Sequence, residues 1–587
     1  MLFVCVLALL QCYLTACEDA PLIPRDDLLH LLFHTDVSAW GALSMSPDGR
    51  FISNRNRSDG SSNIWVARLD EGAEVNAHQV TFYKDQGVIY HFWTHLENVL
   101  VFFLRDAQFM TKIYTLNLTN FDQPQEKHLA TIVAGPVDII LGMGFGIQLS
   151  YNRPETIVIR QTSRSTGFKE LLTLDLLTGK QQLQLNDDKR FNYIYHDNQL
   201  NVRLAVKHGP YVNSPIQSYK LVSITANGTG HWQLLQAIDF IDHSRVQFDK
   251  NNTGFYWIGF NEHNFAALSW ANFNQIEQHK LVYASSKEDL DYGSVSFHPT
   301  QHIPLIAFTH DESGAAELLA LDDSVKLDVE KITKIDPFGH PSVRVISYDL
   351  STWLIRIYSS TQGLRHCIYR RSSQLYCLPA GKLPYQSAFR RMSSIEVTTR
   401  DKKTEQCYLT QPSSSEAENQ AGPMPMLVYV HNGPHFLPDH FGLNGRVQLF
   451  ANRGYVVLQC NFRGSGGFGK EWKHAGFGEW GRKMIYDLED AVKLLVERKI
   501  AKPDKVAIYG EGYGGFAALA ALSITNNVYA CGVSFDGPTN LVNMKKFGHE
   551  WQLLQPNSFL IKSLGADPNS CGGLGQHLAE SVRLKKD

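Results

Sequence analysis

Residues 506–522, VAIYGEGYGGFAALAAL, join a short apolar run, a glycine-rich turn and an alanine-rich stretch. A strand, a G-x-S-x-G turn and a helix in that order form the frame that presents a serine hydroxyl to a carbonyl. Here the turn reads Gly510-Glu511-Gly512-Tyr513-Gly514-Gly515, with glycine where the serine belongs. Glycine suits the strained backbone of that position, because it lacks the Cβ that makes the conformation costly. The substitution therefore spares the frame and removes the nucleophile. Glu511 is the adjacent acid, but neighbouring side chains on such a turn point in different directions, so it reads as a structural carboxylate. The backbone N–H of Tyr513 is left in position to hold an oxyanion, with nothing at 512 to generate one.

Beyond the turn lie Asp536, His549, Asp567 and His577. None follows an apolar strand in the order that an acid and a base after the nucleophile require. All four read as surface residues. The second domain is expected to be truncated before its acid and base. No C-x-x-C pair or histidine-rich spacing points to a metal, and no cofactor is expected.

Strands and helices must position this turn. From 426 the chain alternates between them: MLVYVHNGP and YVVLQCNFRG as strands, VQLFANRG as a helix. MIYDLEDAVKLLVERKI places Met484, Ile485, Leu488, Ala491, Val492, Leu495 and Val496 on one helical stripe. YACGVSFDGP then reads as a further strand. Such alternation gives an open, mainly parallel sheet covered by helices. A polar loop over 410–425 precedes it.

Residues 40–360 follow another rule. A polar turn before an apolar strand recurs at Asp48, Glu97, Asn152, Asn198, Asn251, Pro299 and Leu350, at intervals of 49, 55, 46, 53, 48 and 51 residues. This period without helical patterning predicts four-stranded propeller blades, about seven of them. A run of antiparallel hairpins in a sandwich is the alternative.

Composition sets the outer limits. A chain of 587 residues is too long for one core, and 43% apolar with 11% aromatic residues is a folded composition. A net charge of −3 without basic runs gives no case for nucleic acid. Residues 1–17 combine an apolar run with small residues before Cys17 and read as a signal peptide, although no basic residue opens it. A lipoprotein box is the alternative there. No later segment is long and apolar enough for a transmembrane helix. Four N-x-S/T sequons begin at Asn56, Asn117, Asn227 and Asn251. Cys367 and Cys377 face each other across a plausible hairpin, as a disulfide or as two buried thiols.

The whole layout resembles the prolyl oligopeptidase family of serine peptidases, in its acylaminoacyl-peptidase-like and dipeptidyl-peptidase-like branches. The likeness is carried by HNGP (431–434), ANRGYVVLQCNFRGSGGFGKEW, GEWGRKMIYDLEDAV, PDKVAIYGEGYGGF and ACGVSFDGPTNL. After the signal peptide (1–17), it implies a lead-in (18–36), an all-β propeller (37–385) and a truncated α/β-hydrolase domain (386–587). By the same resemblance His431 is a second oxyanion donor beside Tyr513. Asn432 stands where the family has glycine, which implies a crowded hole. The expected function is a secreted, catalytically inactive relative that binds oligopeptides or a protein partner. An active serine-type peptidase and a truncated product without stable function are the alternatives.

Overall fold

The computed structural model describes residues 43–541, apart from 59–60, 70–74, 85–86, 106–109, 133–147, 164–166, 168, 208–216, 226–227, 236–245, 292, 311–315, 337–338, 373–374, 379–387, 413–421, 436, 526 and 540. The signal peptide, the lead-in, Asn227, His549, Asp567 and His577 lie outside the described residues.

Seven antiparallel sheets form a propeller. Six have four strands paired in sequence order; the sixth blade has three among the described residues, followed by a short helix, Lys326–Thr333. Every recurrent polar turn read from the sequence lies between the first and second strands of its blade. These turns also stitch the ring. Arg50 donates to Glu97 and Asn98 of the next blade at 2.9 Å each. The Asn198 backbone N–H donates to Asn252 at 2.9 Å, and Lys250 to Gln301 at 3.0 Å. The Tyr348 N–H returns to Pro47 O at 2.9 Å, closing the seventh blade onto the first. Leu43, Met45 and Ile52 of the first blade share an apolar cluster with Leu354, Ile368 and Leu378 of the seventh. A disulfide joins Cys367 to Cys377, which sit opposite each other at the outer edge of the seventh blade.

The described residues of the second domain form one six-stranded sheet, whose elements are numbered from its start: β1 Met392–Thr398, β2 Thr404–Thr410, β3 Met424–Val430, β4 Val456–Asn461, β5 Ala501–Glu511 and β6 Cys531–Phe535. Its order is β1-β2-β4-β3-β5-β6. β1, β2 and β4 pair antiparallel, while β3 pairs parallel with β4 and β5, and β5 parallel with β6. Among the described residues four helices accompany it: α1 Gly445–Asn452, α2 Lys470–Ala475, α3 Lys483–Glu497 and α4 Tyr513–Ile524. Parallel strands buried on both faces need continuous apolar runs, which β3 to β5 supply. The α3 stripe packs Met484, Ile485, Leu488, Ala491, Val492 and Leu495 into the same core as Phe516, Ala517 and Ala520 of α4.

Two buried features of this core were absent from the sequence expectations. Cys407 of β2 and Cys460 of β4 are directly opposite and joined as a disulfide. Beside them Glu405 is fully buried, and neither carboxylate oxygen has a hydrogen-bond partner. Burial pushes its carboxyl well above the usual range, and the charge of Asp487 adds to the rise. The folded state thus binds this proton more tightly than the unfolded chain. Stability from this group is greatest below the ordinary glutamate pKa and falls as pH rises above it toward the folded value. Glu405→Met is expected to flatten that decline and raise stability at neutral pH by about 1–3 kcal/mol. Urea midpoints measured from pH 4 to 8 check it. Parallel curves for the two proteins would contradict the assignment.

Candidate active site: a hydrolase elbow without its hydroxyl

β5 runs straight into Gly512, and α4 begins at the next residue. Gly512 has φ 53° and ψ −116°, a left-handed conformation that side chains rarely adopt. Its N–H donates to Phe535 O at 2.9 Å, and its carbonyl accepts from Phe516 N at 3.1 Å, so both sides of the turn are pinned. A Cβ on Gly514 would collide with the Val430 carbonyl, and one on Gly510 with the Gly514 backbone. These glycines allow strand and helix to meet closely.

Glu511 bonds away from the elbow. It pairs with Arg446 at 2.8 Å and accepts from the Tyr509 hydroxyl at 3.1 Å; Arg446 in turn donates to the Tyr429 hydroxyl at 3.2 Å. The Tyr513 ring packs against Trp480 and Phe462, and burial pushes its phenol well above the usual range. Only its backbone N–H faces the turn.

His431 immediately follows β3, and both its ring nitrogens are engaged. Nδ1 donates to the Asn432 carbonyl at 2.7 Å, and Nε2 accepts from the Ser465 hydroxyl at 3.0 Å. The ring stacks on Phe462, and burial pushes its imidazole down to about 4. Ser465, His431 and a carbonyl thus have the connectivity of a nucleophile, a base and an orienting group. Ser465 is wholly buried, however, and no substrate carbonyl reaches it.

The residue that does meet the elbow is Asn432. Its Oδ1 accepts from the Tyr513 N–H at 2.9 Å and from the Gly433 N–H at 2.8 Å. Those two N–H groups converge on one oxygen, while the His431 ring gives its nitrogens to Asn432 O and Ser465.

Asp536 is exposed, immediately after β6, with φ 52°. Asn56, Asn117 and Asn251 have exposed side chains on the propeller. Among the described residues, the cluster of potential metal donors is Glu405, Cys407 and Cys460, and its two sulfurs are joined to each other.

Residues of the propeller bond to loops and to the first strand of this domain. Asn264 accepts from the backbone of Lys470 and Glu471, at 3.0 and 2.9 Å, and the Asp289 N–H donates to Gly467 O at 2.9 Å. Lys287 pairs with Glu396 at 2.6 Å, and His340 stacks on Phe441.

Comparison with known proteins follows the same outline. The model of the prolyl oligopeptidase family matches residues 441–559. Dipeptidyl peptidase family member 6 of Caenorhabditis elegans is 29% identical over 97% of this chain and 77% of its own length. Dipeptidyl aminopeptidase BIII of Pseudoxanthomonas mexicana is 28% identical over 85% of this chain and 70% of its own. Among solved structures, a puromycin-hydrolyzing peptidase of Mycobacterium tuberculosis superposes with a TM-score of 0.64 at 15% identity, over 93% of this chain and 83% of that one. A puromycin hydrolase superposes at 0.61, also at 15% identity, over 93% of this chain and 85% of that one.

Proposed function

We propose that this chain, which belongs at family level to the prolyl oligopeptidase and dipeptidyl peptidase clan, is a member that binds peptides or a protein partner and does not cleave them. One observation carries this reading: the nucleophile position is Gly512, in the nucleophile's backbone conformation but without a hydroxyl. Acyl transfer by this clan's chemistry needs an oxygen there to attack the carbonyl. Glu511, the Tyr513 phenol and Ser465 are each unsuited to replace it, through an ion pair, burial and burial respectively.

Secretion belongs to the same reading, with cleavage near Cys17 and glycans on Asn56, Asn117, Asn227 and Asn251. The resemblance and the sequence pattern support it. The N-terminal sequence and mass of the protein from culture medium test it.

The functional test pairs turnover with binding. A fluorogenic panel with free, N-acylated and proline-containing peptides is expected to stay at the uncatalysed rate, while calorimetry with the same peptides in uncleaved form detects heat of binding. Robust turnover by the unmodified protein would favour the active-peptidase reading and end this one.

A further inference from the structure

Resting on the reading of the elbow as non-catalytic, we propose that Asn432 is an internal ligand of the oxyanion hole, interlocked with Gly512. A Cβ built on Gly512 falls 2.7 Å from both Cγ and Nδ2 of Asn432, and closer still to Oδ1. That is well inside van der Waals contact, so the carboxamide lies where a nucleophile's side chain would begin. Its oxygen meanwhile takes the Tyr513 and Gly433 N–H groups at 2.9 and 2.8 Å. A carboxamide carbonyl has the same acceptor chemistry as the peptide carbonyl this hole would polarise in a hydrolase.

Two consequences follow from one side chain. The donors are satisfied without substrate, so an incoming peptide gains no hydrogen bond at the elbow unless it displaces Asn432. The carboxamide also fits only because position 512 has no Cβ. Glycine at 512 and asparagine at 432 thus depend on each other. A peptide that leaves Asn432 in place is held by contacts away from these two N–H groups.

A double-mutant cycle tests the interlock. Gly512→Ala is expected to lower Tm by roughly 5–10 °C with Asn432 present, and by less than half as much in the Asn432→Gly background. The residual loss is the backbone strain of a non-glycine residue at φ 53°, common to both backgrounds. An equal fall in both overturns the proposal. Amide exchange gives a second reading that needs no variant at 512. The Tyr513 N–H is expected to exchange at least about tenfold faster in Asn432→Gly or Asn432→Ala than in the parent, because its acceptor is gone. Unchanged exchange in a folded Asn432 variant also overturns it. The peptide turnover assay is separate: a parent that hydrolyses peptides yet shows the coupling ends only the functional reading, and an inert parent with an additive cycle ends only this one.

Discussion

Gly512→Ser restores no peptidase turnover, although it returns the missing hydroxyl to its place in the frame. Three features of the site lead to this expectation. The new Cβ enters the volume of the Asn432 carboxamide, so the side chain must be displaced before the serine can adopt any rotamer. The hydroxyl also stays protonated. The His431 imidazole is held low by burial and already accepts from Ser465, which leaves it no capacity as a base at 512. Finally, a side chain at φ 53° and ψ −116° adds strain of about 1–3 kcal/mol. Without a working base, binding and oxyanion contacts give at most roughly 10³- to 10⁴-fold over water. A serine-bearing relative should therefore exceed both this variant and its parent by several orders of magnitude on the same fluorogenic panel. Turnover by Gly512→Ser alone would show that a base exists in this chain. His549 and His577, outside the described residues, would be the first to replace.

Asp487→Ala is expected to cost about 3–5 kcal/mol of stability. Arg463 follows β4 and is almost wholly buried; Asp487 of α3 is fully buried. The guanidinium bonds Asp487 Oδ1 at 2.6 Å and Oδ2 at 2.8 Å, and both oxygens of Asp401 at 2.8 Å. The Arg463 backbone N–H also donates to Asp487 at 3.0 Å. Removing Asp487 leaves a buried cation hydrogen-bonded only to the partly exposed Asp401 among the described acids, with the buried, proton-holding Glu405 nearby, the costly way to break such a group. The same loop supplies Ser465 to His431 and the Gly464 carbonyl to the His435 ring at 3.0 Å, so the change should reach the elbow's surroundings as well. Replacing both partners by leucine is expected to recover most of the loss, because no charge is then stranded. Urea denaturation of the three proteins decides it; a loss below about 1 kcal/mol for Asp487→Ala would contradict the network's role.

Local signals were easy to read in the sequence, and contacts between distant loops were not. The blade turns were legible because a polar turn before an apolar strand needs only a few adjacent residues. All seven markers, from Asp48 to Leu350, fall between the first two strands of a blade. The elbow was legible for the same reason: its glycines stand together in one short stretch, where Gly510 lies against the Gly514 backbone and Gly512 takes a positive φ. The departure in the sixth blade, where the helix Lys326–Thr333 follows the third strand, was not anticipated from the repeat. The Cys407–Cys460 bridge went unread because it depends on sheet order. β4 pairs with β2 across 53 residues, with β3 intervening in the chain. Asn432 was visible as an unusual residue that would crowd the hole. Its bond to Tyr513 spans 81 residues and depends on how β3 and β5 lie side by side, which no local pattern encodes.

The way the propeller closes has a mechanical consequence. Among the described residues each blade's ladders join its own consecutive strands, a single bridge between Asn186 and Thr229 apart, and no strand is exchanged between the first blade and the seventh. Six of the seven seams are also crossed by the chain itself, whereas among the described residues the contacts at the seam between blades one and seven are side-chain packing and a few hydrogen bonds, such as Tyr348 to Pro47 and Arg370 to Leu69. The ring is in effect a split washer. Prising it open at that slit breaks no β-ladder among the described residues, so strain on the ring falls on packing and single hydrogen bonds there and leaves the seven sheets whole.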